Sequence, residues 1–411
     1  MATAQGIRKQ TTIGKQVALG TPLVGAGGQI LRRETSVFAL SKAMYESTEI
    51  VSHQQSTGSR HGVQAASGKI VGLISAGTYK LLMATAMRKD FVVGVNTGAI
   101  ITVTSASTGG ANGTYTRSAG SYLTDGFKIG DVINWTGWTT TGAPNNSRNF
   151  VITALTATIM TGRHIDGPPA TAVGAKVAGD SVTGTVMGKK TLAPMTGHTD
   201  DYFTIEEWYP DIVQSELFTD CKLQTMMIDI PGSGNSKINM DFIGLGRTAA
   251  AAQSFTTPAV ETTTGIMASV NGLLMVNGAV VGNVTAVQIT VAEGLTPDGP
   301  VVGSNFSPSV SRGRIKVTGQ FTAFFADGVT PALFAAETAT SLIVVLTADS
   351  TATSSFISLS IGRLKLGGDT PDDGEKAILR TYPFVAEINS AGGGAGLAYD
   401  QTILSIQDSA A

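Results

Sequence analysis

The sequence predicts a mainly β chain of two tandem β-sandwich or barrel domains, each with one short helix, plus a small β-barrel domain inserted in the first. Three observations predict it. Apolar and polar residues alternate along segments such as Lys237–Ile243 and Arg314–Phe325, the period of a strand with one buried face. Helical spacing is confined to short segments such as Tyr79–Arg88. The third observation is a recurrence of phrases in one order. Ser67-Gly-Lys-Ile-Val-Gly72, followed by Thr78–Thr85, returns as Gly313-Arg-Ile-Lys-Val-Thr-Gly319, followed by Gly328–Glu337, about 245 positions on. Phe203–Trp208 then matches Phe356–Ile361, and Lys237–Ile243 matches Arg380–Ala386. Chance rarely preserves such an order.

Taken in sequence, residues 1–36 are polar and Gly-rich with breakers at Thr21-Pro22 and Gly25–Gly28, so they read as an N-terminal arm. The first domain comprises 37–93 and 194–246. Within it Tyr79, Leu82, Met83 and Met87 recur at helical spacing and are expected to cover an open end of the β core. Residues 94–193 have no counterpart in the second half and read as the insert, on the outer surface. Its phrases Phe127–Trp135, Asn145–Thr153 and Ala157–Met160 suit a small barrel of the SH3 or OB kind. Pro168-Pro169 interrupts its far end. Trp135 and Trp138 lack neighbouring basic residues, so they read as barrel core and not as a platform for bases. After the insert, Cys221–Ile230 and Ser236–Ile243 flank Pro231-Gly232-Ser233-Gly234-Asn235, a hairpin signal. Residues 247–265 read as a small-residue linker, and 266–411 as the second domain.

Composition favours a building block. Charged residues are 14% of the chain, against roughly 25% in ordinary soluble domains, as expected of a surface largely covered by neighbouring copies. A formal net charge of −2 excludes a strong electrostatic grip on nucleic acid. The single cysteine, Cys221, cannot form an internal disulfide, so no oxidising compartment is needed. Arg8, Lys9 and Lys15 precede no long apolar stretch, and no apolar run reaches membrane-spanning length. Neither a signal peptide nor a membrane partner is expected, and folding in a cytosol is.

No catalytic constellation emerges. His53, His61, His164 and His198 are scattered and form no metal-ligating spacing. His198 beside Asp200 and Asp201 lacks any nucleophile context. In the Asp369–Gly374 loop, Pro371 and Arg380 occupy positions where calcium needs oxygen ligands. Gly392–Gly396 lacks the strand-then-helix setting of a nucleotide loop. Glu206 and Glu207 are adjacent in a strand and point to opposite faces. No enzyme activity, metal or cofactor is expected.

Four phrases carry a family resemblance: Gly14-Lys-Gln-Val-Ala-Leu-Gly-Thr21-Pro22, Lys69–Gly72 leading into the Tyr79 helix, Tyr122–Trp135, and Leu217–Met226 with its hairpin. Through them most of the chain resembles the tail tube (major tail) proteins of long-tailed, non-contractile bacteriophages, the siphophages. The resemblance implies β sandwiches with a flanking helix. It implies six-membered rings with a continuous inner barrel, stacked through a loop or arm into the tube that carries double-stranded DNA. With a duplicated tube domain, three chains would supply six, in a pseudo-hexameric trimeric ring. Implied partners are further copies of the chain, the tape measure protein, tail terminator and tip proteins, and transiently the DNA in the lumen. The location implied is the virion tail, assembled in the host bacterial cytoplasm.

Six domains with four inner strands each would close about 24 strands into a barrel roughly 48 Å across at the backbone. Side chains would leave roughly 35–40 Å, enough for a duplex of about 20 Å. Gly14, Thr21 and Pro22 of the arm, and Pro231, Gly232, Ser233, Gly234 and Asn235 of the hairpin turn, are the candidate inter-subunit contacts. Deleting residues 1–30 is expected to block polymerisation without unfolding, and deleting 94–193 to leave assembly intact. Two other readings share these strands: a β-rich surface adhesin or receptor-binding module, and the inner tube of a contractile injection machine.

Overall fold

The computed structural model describes residues 3–53, 55–167, 170–373, 375–394 and 396–411. Pro168, Pro169 and Gly374, and Ala395 of the Gly392–Gly396 turn, lie outside the described residues. The chain opens with β1 (Gln10–Lys15), β2 (Gly25–Ile30), β3 (Thr35–Glu46), β4 (Ser59–Leu73) and helix α1 (Lys80–Ala86). The insert follows, with β5 (Val103–Gly109), β6 (Asn112–Arg117), short helix α2 (Tyr122–Asp125), β7 (Val132–Thr136), β8 (Phe150–Leu155), β9 (Ile159–His164) and β10 (Thr183–Val186). The first half resumes as β11 (Lys189–Leu192), β12 (Phe203–Tyr209), β13 (Gln214–Ile230), β14 (Lys237–Gly244), β15 (Gly246–Ala250) and β16 (Phe255–Ala259). The second half runs β17 (Gly272–Val276), β18 (Val284–Ala292), β19 (Lys316–Phe324), helix α3 (Val329–Ala335), β20 (Thr340–Thr347), β21 (Phe356–Leu366), β22 (Leu379–Ala386) and β23 (Ser405–Asp408). The architecture is mainly β.

In the first half the antiparallel order is β3-β4-β14-β13-β12-β1. In the second it is β18-β19-β22-β21-β20-β17. Place by place the two orders agree, and each half has its helix after the second strand. One sequence match shifts. Phe203–Trp208 lies on β12, in fifth place, and Phe356–Ile361 on β21, in fourth. Both begin at a buried Phe and continue through a run of buried residues, and only pairing tells them apart. β13 and β21 are long and serve two layers. The first half of β13 pairs with β12 and β15, and its second half with β14 and β18. The pairing of Thr225–Ile230 with Val287–Ala292 joins the two halves into one sheet.

Between the layers lies a core shared by both halves, including Ile70, Met240 and Phe242 from one and Ile289, Phe321 and Leu359 from the other. Cys221 belongs to it, with its sulfur under Gly244, where an added Cβ would come within 2.7 Å. Burial pushes the Cys221 thiol well above its ordinary pKa. A maleimide at pH 8 should therefore leave the native protein unlabelled and react fully in urea. Rapid native labelling would place the sulfur outside the core.

The N-terminal segment differs from the expected arm. β1 pairs with β12 along its whole length, and Thr11–Gly14 are all buried. A strand covered on both faces shows no alternation, which is why its six residues read as irregular. Deleting 1–30 would thus remove Ile13 and Leu31's partner strand from the core, in addition to the exposed loop at 17–22. Residues 247–265 are likewise not a plain linker. β15 pairs with β13, and β16 runs parallel to β2. Phe255 fills the space over Gly14 and Gly28, where added Cβ atoms would meet its ring at 3.0 and 2.8 Å. These strands hold by backbone hydrogen bonds, so Ala and Thr suffice and leave no apolar pattern to read.

The insert forms a six-stranded sheet in the order β10-β7-β8-β9-β6-β5. Bridges Ser105–Lys176, Ile100–Val182 and Asn96–Thr185 draw its edges together. Trp135 and Trp138 lie in its core, 0% and 3% exposed, with Tyr115 4.9 Å from both the Trp135 and Phe150 rings. The insert also shares this core with the second half, through Met275, Ile343, Val345 and Phe356. Alternation along β20 explains how. Leu342, Val344 and Leu346 point into the central core while Ile343 and Val345 point into the insert. Polar links reinforce the seat. Gln407 exchanges two 2.8 Å hydrogen bonds with the Val132 backbone, and Lys190 bridges Asp131 and Asp400 at 2.5 Å each. β11 pairs with the C-terminal β23. The expected boundary at 193 therefore cuts beyond a strand that belongs to the second half's outer layer.

Candidate functional site

The scattered polar candidates resolve into structural roles. His164 is not in a loop. It is fully buried in β9, its Nδ1 2.9 Å from the Thr171 carbonyl, and burial lowers its pKa. His61 lies in β4, and His53 and His198 are exposed in loops. Glu206 and Glu207 are 0% and 2% exposed and do point apart. Glu206 accepts from Ser215 Oγ at 2.6 Å and the Phe255 N–H at 3.2 Å, anchoring the start of β16. Glu207 accepts from Ser36 Oγ at 2.8 Å and pairs with Lys9 at 2.6 Å, fastening the N-terminal segment. These are staples, with every charge satisfied by a fixed partner. Asp369 is paired with Arg380. Among the described residues no cluster of His, Cys, Asp or Glu could hold a metal ion. Among them, too, no helix is long and apolar enough to cross a membrane.

What the fold does build is a broad sheet face. The junction of β13 with β18 makes eight adjacent strands, β3-β4-β14-β13-β18-β19-β22-β21. Their inward residues, such as Ile70, Met240, Met226, Val291 and Val317, are at most 1% exposed. Their outward residues leave a continuous open face. One row crosses all eight strands in register: Thr35, Val71, Asn239, Met227, Thr290, Thr318, Val385 and Lys365. It carries a single charge. A neighbouring row contains Lys69 and Asp241, 3.9 Å apart, and Lys237 pairs with Glu34 at 2.9 Å. Exposed pairs like these add little stability, but they cancel the field that would hold a polyanion.

The order of the layers follows from strand alternation. The open face comes first, then the shared core, then the outer layer containing β20, then the insert. The insert is thus on the side away from the open face.

The predicted contact residues fall in two places. Gly14 is enclosed within β1 by Leu23 and Phe255 and offers no surface to a neighbour. A glycine in a loop-like phrase gave no sign of this, because its contacts come from residue 255. Thr21 and Pro22 are exposed in the loop after β1. Pro231–Asn235 form the turn between β13 and β14, exposed at Gly232–Gly234 and half-buried at Pro231 and Asn235, with Asn235 bridged to Ala268. The structure brings neither group to the other. The open face itself went unread as a unit, since no local signal says that β13 and β18 are neighbours.

Against known families, the profile described as phage tail tube protein matches residues 2–386. Comparison with the curated proteins finds no match.

Proposed function

This chain belongs to the phage tail tube protein family, and on that premise we propose that three copies close into a ring whose lumen is lined by the eight-stranded face. The observation that carries this reading is the internal junction. Two sets of strands in the same order are already joined edge to edge by β13 and β18, and two further edges, along β3 and along the end of β21, are left open. Repeating that junction between chains gives about 24 strands for three copies and a barrel near 48 Å across. Closure leaves no free edge, which a sheet this poor in charge would otherwise expose to aggregation. The equal strand orders support a duplicated tube domain, and hence a pseudo-hexameric ring of three chains.

In this reading the tube contains and passes double-stranded DNA without sequence specificity. The face that DNA would meet mixes apolar and polar residues and is partly ion-paired, with Lys69 on Asp241 and Lys237 on Glu34 and only Lys316 and Lys365 as further cations without an ion pair among the described residues, so few counterions are released and little affinity builds up. The insert would decorate the outer wall. That placement suits a tube without a contractile sheath around it, as in siphophages. Thr21, Pro22 and the Pro231–Asn235 turn are the contacts proposed between stacked rings, where tape measure, terminator and tip proteins would also bind.

Electron microscopy of the purified protein tests this directly. End-on views of assembled particles should show annuli of three chains and six similar lobes. Six whole chains per annulus would overturn the duplicated ring, and monomers at high concentration would overturn the tube.

A further inference from the structure

Two helices in equivalent places have unlike surroundings. α1 follows β4 and α3 follows β19, and both end in the same backbone cap. Arg88, at φ 53°, donates to the Thr85 carbonyl and Lys89 to that of Ala84. Glu337, at φ 49°, donates to Phe334 and Thr338 to Leu333. Arg88 and Glu337 are therefore the same position in two copies of one motif, and each pays backbone strain to be there. Yet α1 has five buried residues and α3 none. α1 packs on β13 of its own half, and the second half reaches the residues just before and just after it. Asp408 accepts from the Gly77 N–H at 2.8 Å, and Arg88 Nε donates to Glu293 at 2.7 Å. Glu293 directly follows β18, at the seam where β18 meets β13. α3 instead borders an open cleft of about 560 Å³, with Phe324 and Phe325 exposed beside it.

Strand register identifies the missing cover. In β4, Gly68 lies opposite Phe38 and Phe242; in β19, Gly319 lies opposite Ile289 and Phe384. Added Cβ atoms would reach into the Phe38 ring at Gly68, and to 2.5 Å from the Phe384 ring at Gly319. Setting these glycines equal superposes buried Ala66 and Ile70 on Val317 and Phe321, and carries β3 onto β18 with Phe38 on Ile289. The residue equivalent to Glu293 is then Lys42. Lys42 and Glu337 are both exposed, and neither has a salt bridge among the described residues. The internal junction thus holds Arg88 against Glu293, while the open edges present Glu337 and Lys42. The places are the same and the charges are exchanged.

We propose that the seam between chains repeats the seam within the chain: the edge continuing from β21 through Thr370–Pro371 pairs with β3 of a second copy, whose hairpin covers α3, and Glu337 of one copy meets Lys42 of the next. α1 and β18 are already occupied by the internal junction, so only α3 and β3 remain for a neighbour.

This inference rests on the ring reading, and its test separates the two. Wild-type protein, E337K, K42E and the double variant are compared by sedimentation and electron microscopy in low salt, with thermal melts on each. Each single reversal should raise the concentration needed for assembly by about tenfold or more, the effect of a 1.4 kcal/mol change. The double variant should restore it. Wild-type tubes of three chains, with single variants assembling normally or the double failing to recover, would overturn the pairing and leave the ring. Should a reversal perturb folding, oxidation of the K42C/E337C variant gives a second readout. Covalently linked chains in assembled rings support the seam, and unlinked chains in rings overturn it.

Discussion

Replacing residues 94–193 with a short Gly/Ser linker is expected to yield aggregated protein with no cooperative melt. Sequence alone suggested the opposite, a dispensable insert. The structure shows that the insert covers Met275, Ile343, Val345 and Phe356 of the second half, all at most 1% exposed. Uncovering four such side chains forfeits roughly 1.5–3 kcal/mol each, a total comparable with the roughly 5–15 kcal/mol by which domains are stable. The deletion also removes β11, the partner of β23, and leaves that edge open. Soluble yield and a thermal melt monitored by circular dichroism check this. A soluble, cooperatively melting variant that still assembles would show that β20 needs no cover.

Arg88→Met should destabilise the chain by about 3–5 kcal/mol, the cost of leaving one partner of a buried ion pair alone. Glu293 is 1% exposed, and the carboxylate oxygen that Arg88 does not reach has no hydrogen-bond partner among the described residues. Arg88 also donates to the Glu293 and Gly313 carbonyls at 3.0 and 2.9 Å, and those bonds go too. The pH dependence gives a sharper signature. Burial pushes the Glu293 carboxyl above its ordinary pKa, opposed by the Arg88 guanidinium. Without Arg88 the rise is larger. A carboxyl with a raised folded-state pKa binds its proton more tightly when folded, so its contribution is favourable in acid and lost as pH climbs through the raised value. The melting deficit of the variant relative to wild type should therefore shrink between pH 7.5 and pH 5. A deficit independent of pH would mean that lost packing of the Arg88 stem, not the stranded carboxylate, sets the cost.

Both effects involve contacts between distant segments, and they mark where reading the sequence stops. Ile238, Met240 and Phe242 were legible as one face of β14 because alternation is a property of neighbouring residues. The Pro231–Asn235 turn was legible from its own composition, and the helix over Tyr79–Met87 from its spacing, although it begins at Lys80. The recurrence of β4 with α1 and β19 with α3 survived as an ordered pattern. In contrast, β1 and β16 went unread: one is covered on both faces and the other holds by its backbone. The match of Phe203–Trp208 to Phe356–Ile361 slipped by one strand because fourth and fifth strands carry the same alternation.

By itself the sequence determined that the alternating segments are strands, which of their faces are apolar, and that the chain has too little net charge for a strong electrostatic grip on DNA. Those are local or summed properties, encoded by period and composition. Tertiary structure alone decided that β13 neighbours β18, that the insert from the first half seats on the second, and that Arg88 finds Glu293 while Glu337 and Lys42 face outward. Strand pairing is made by backbone groups common to every residue, so side-chain periodicity tells a strand which way to face and not which strand to join.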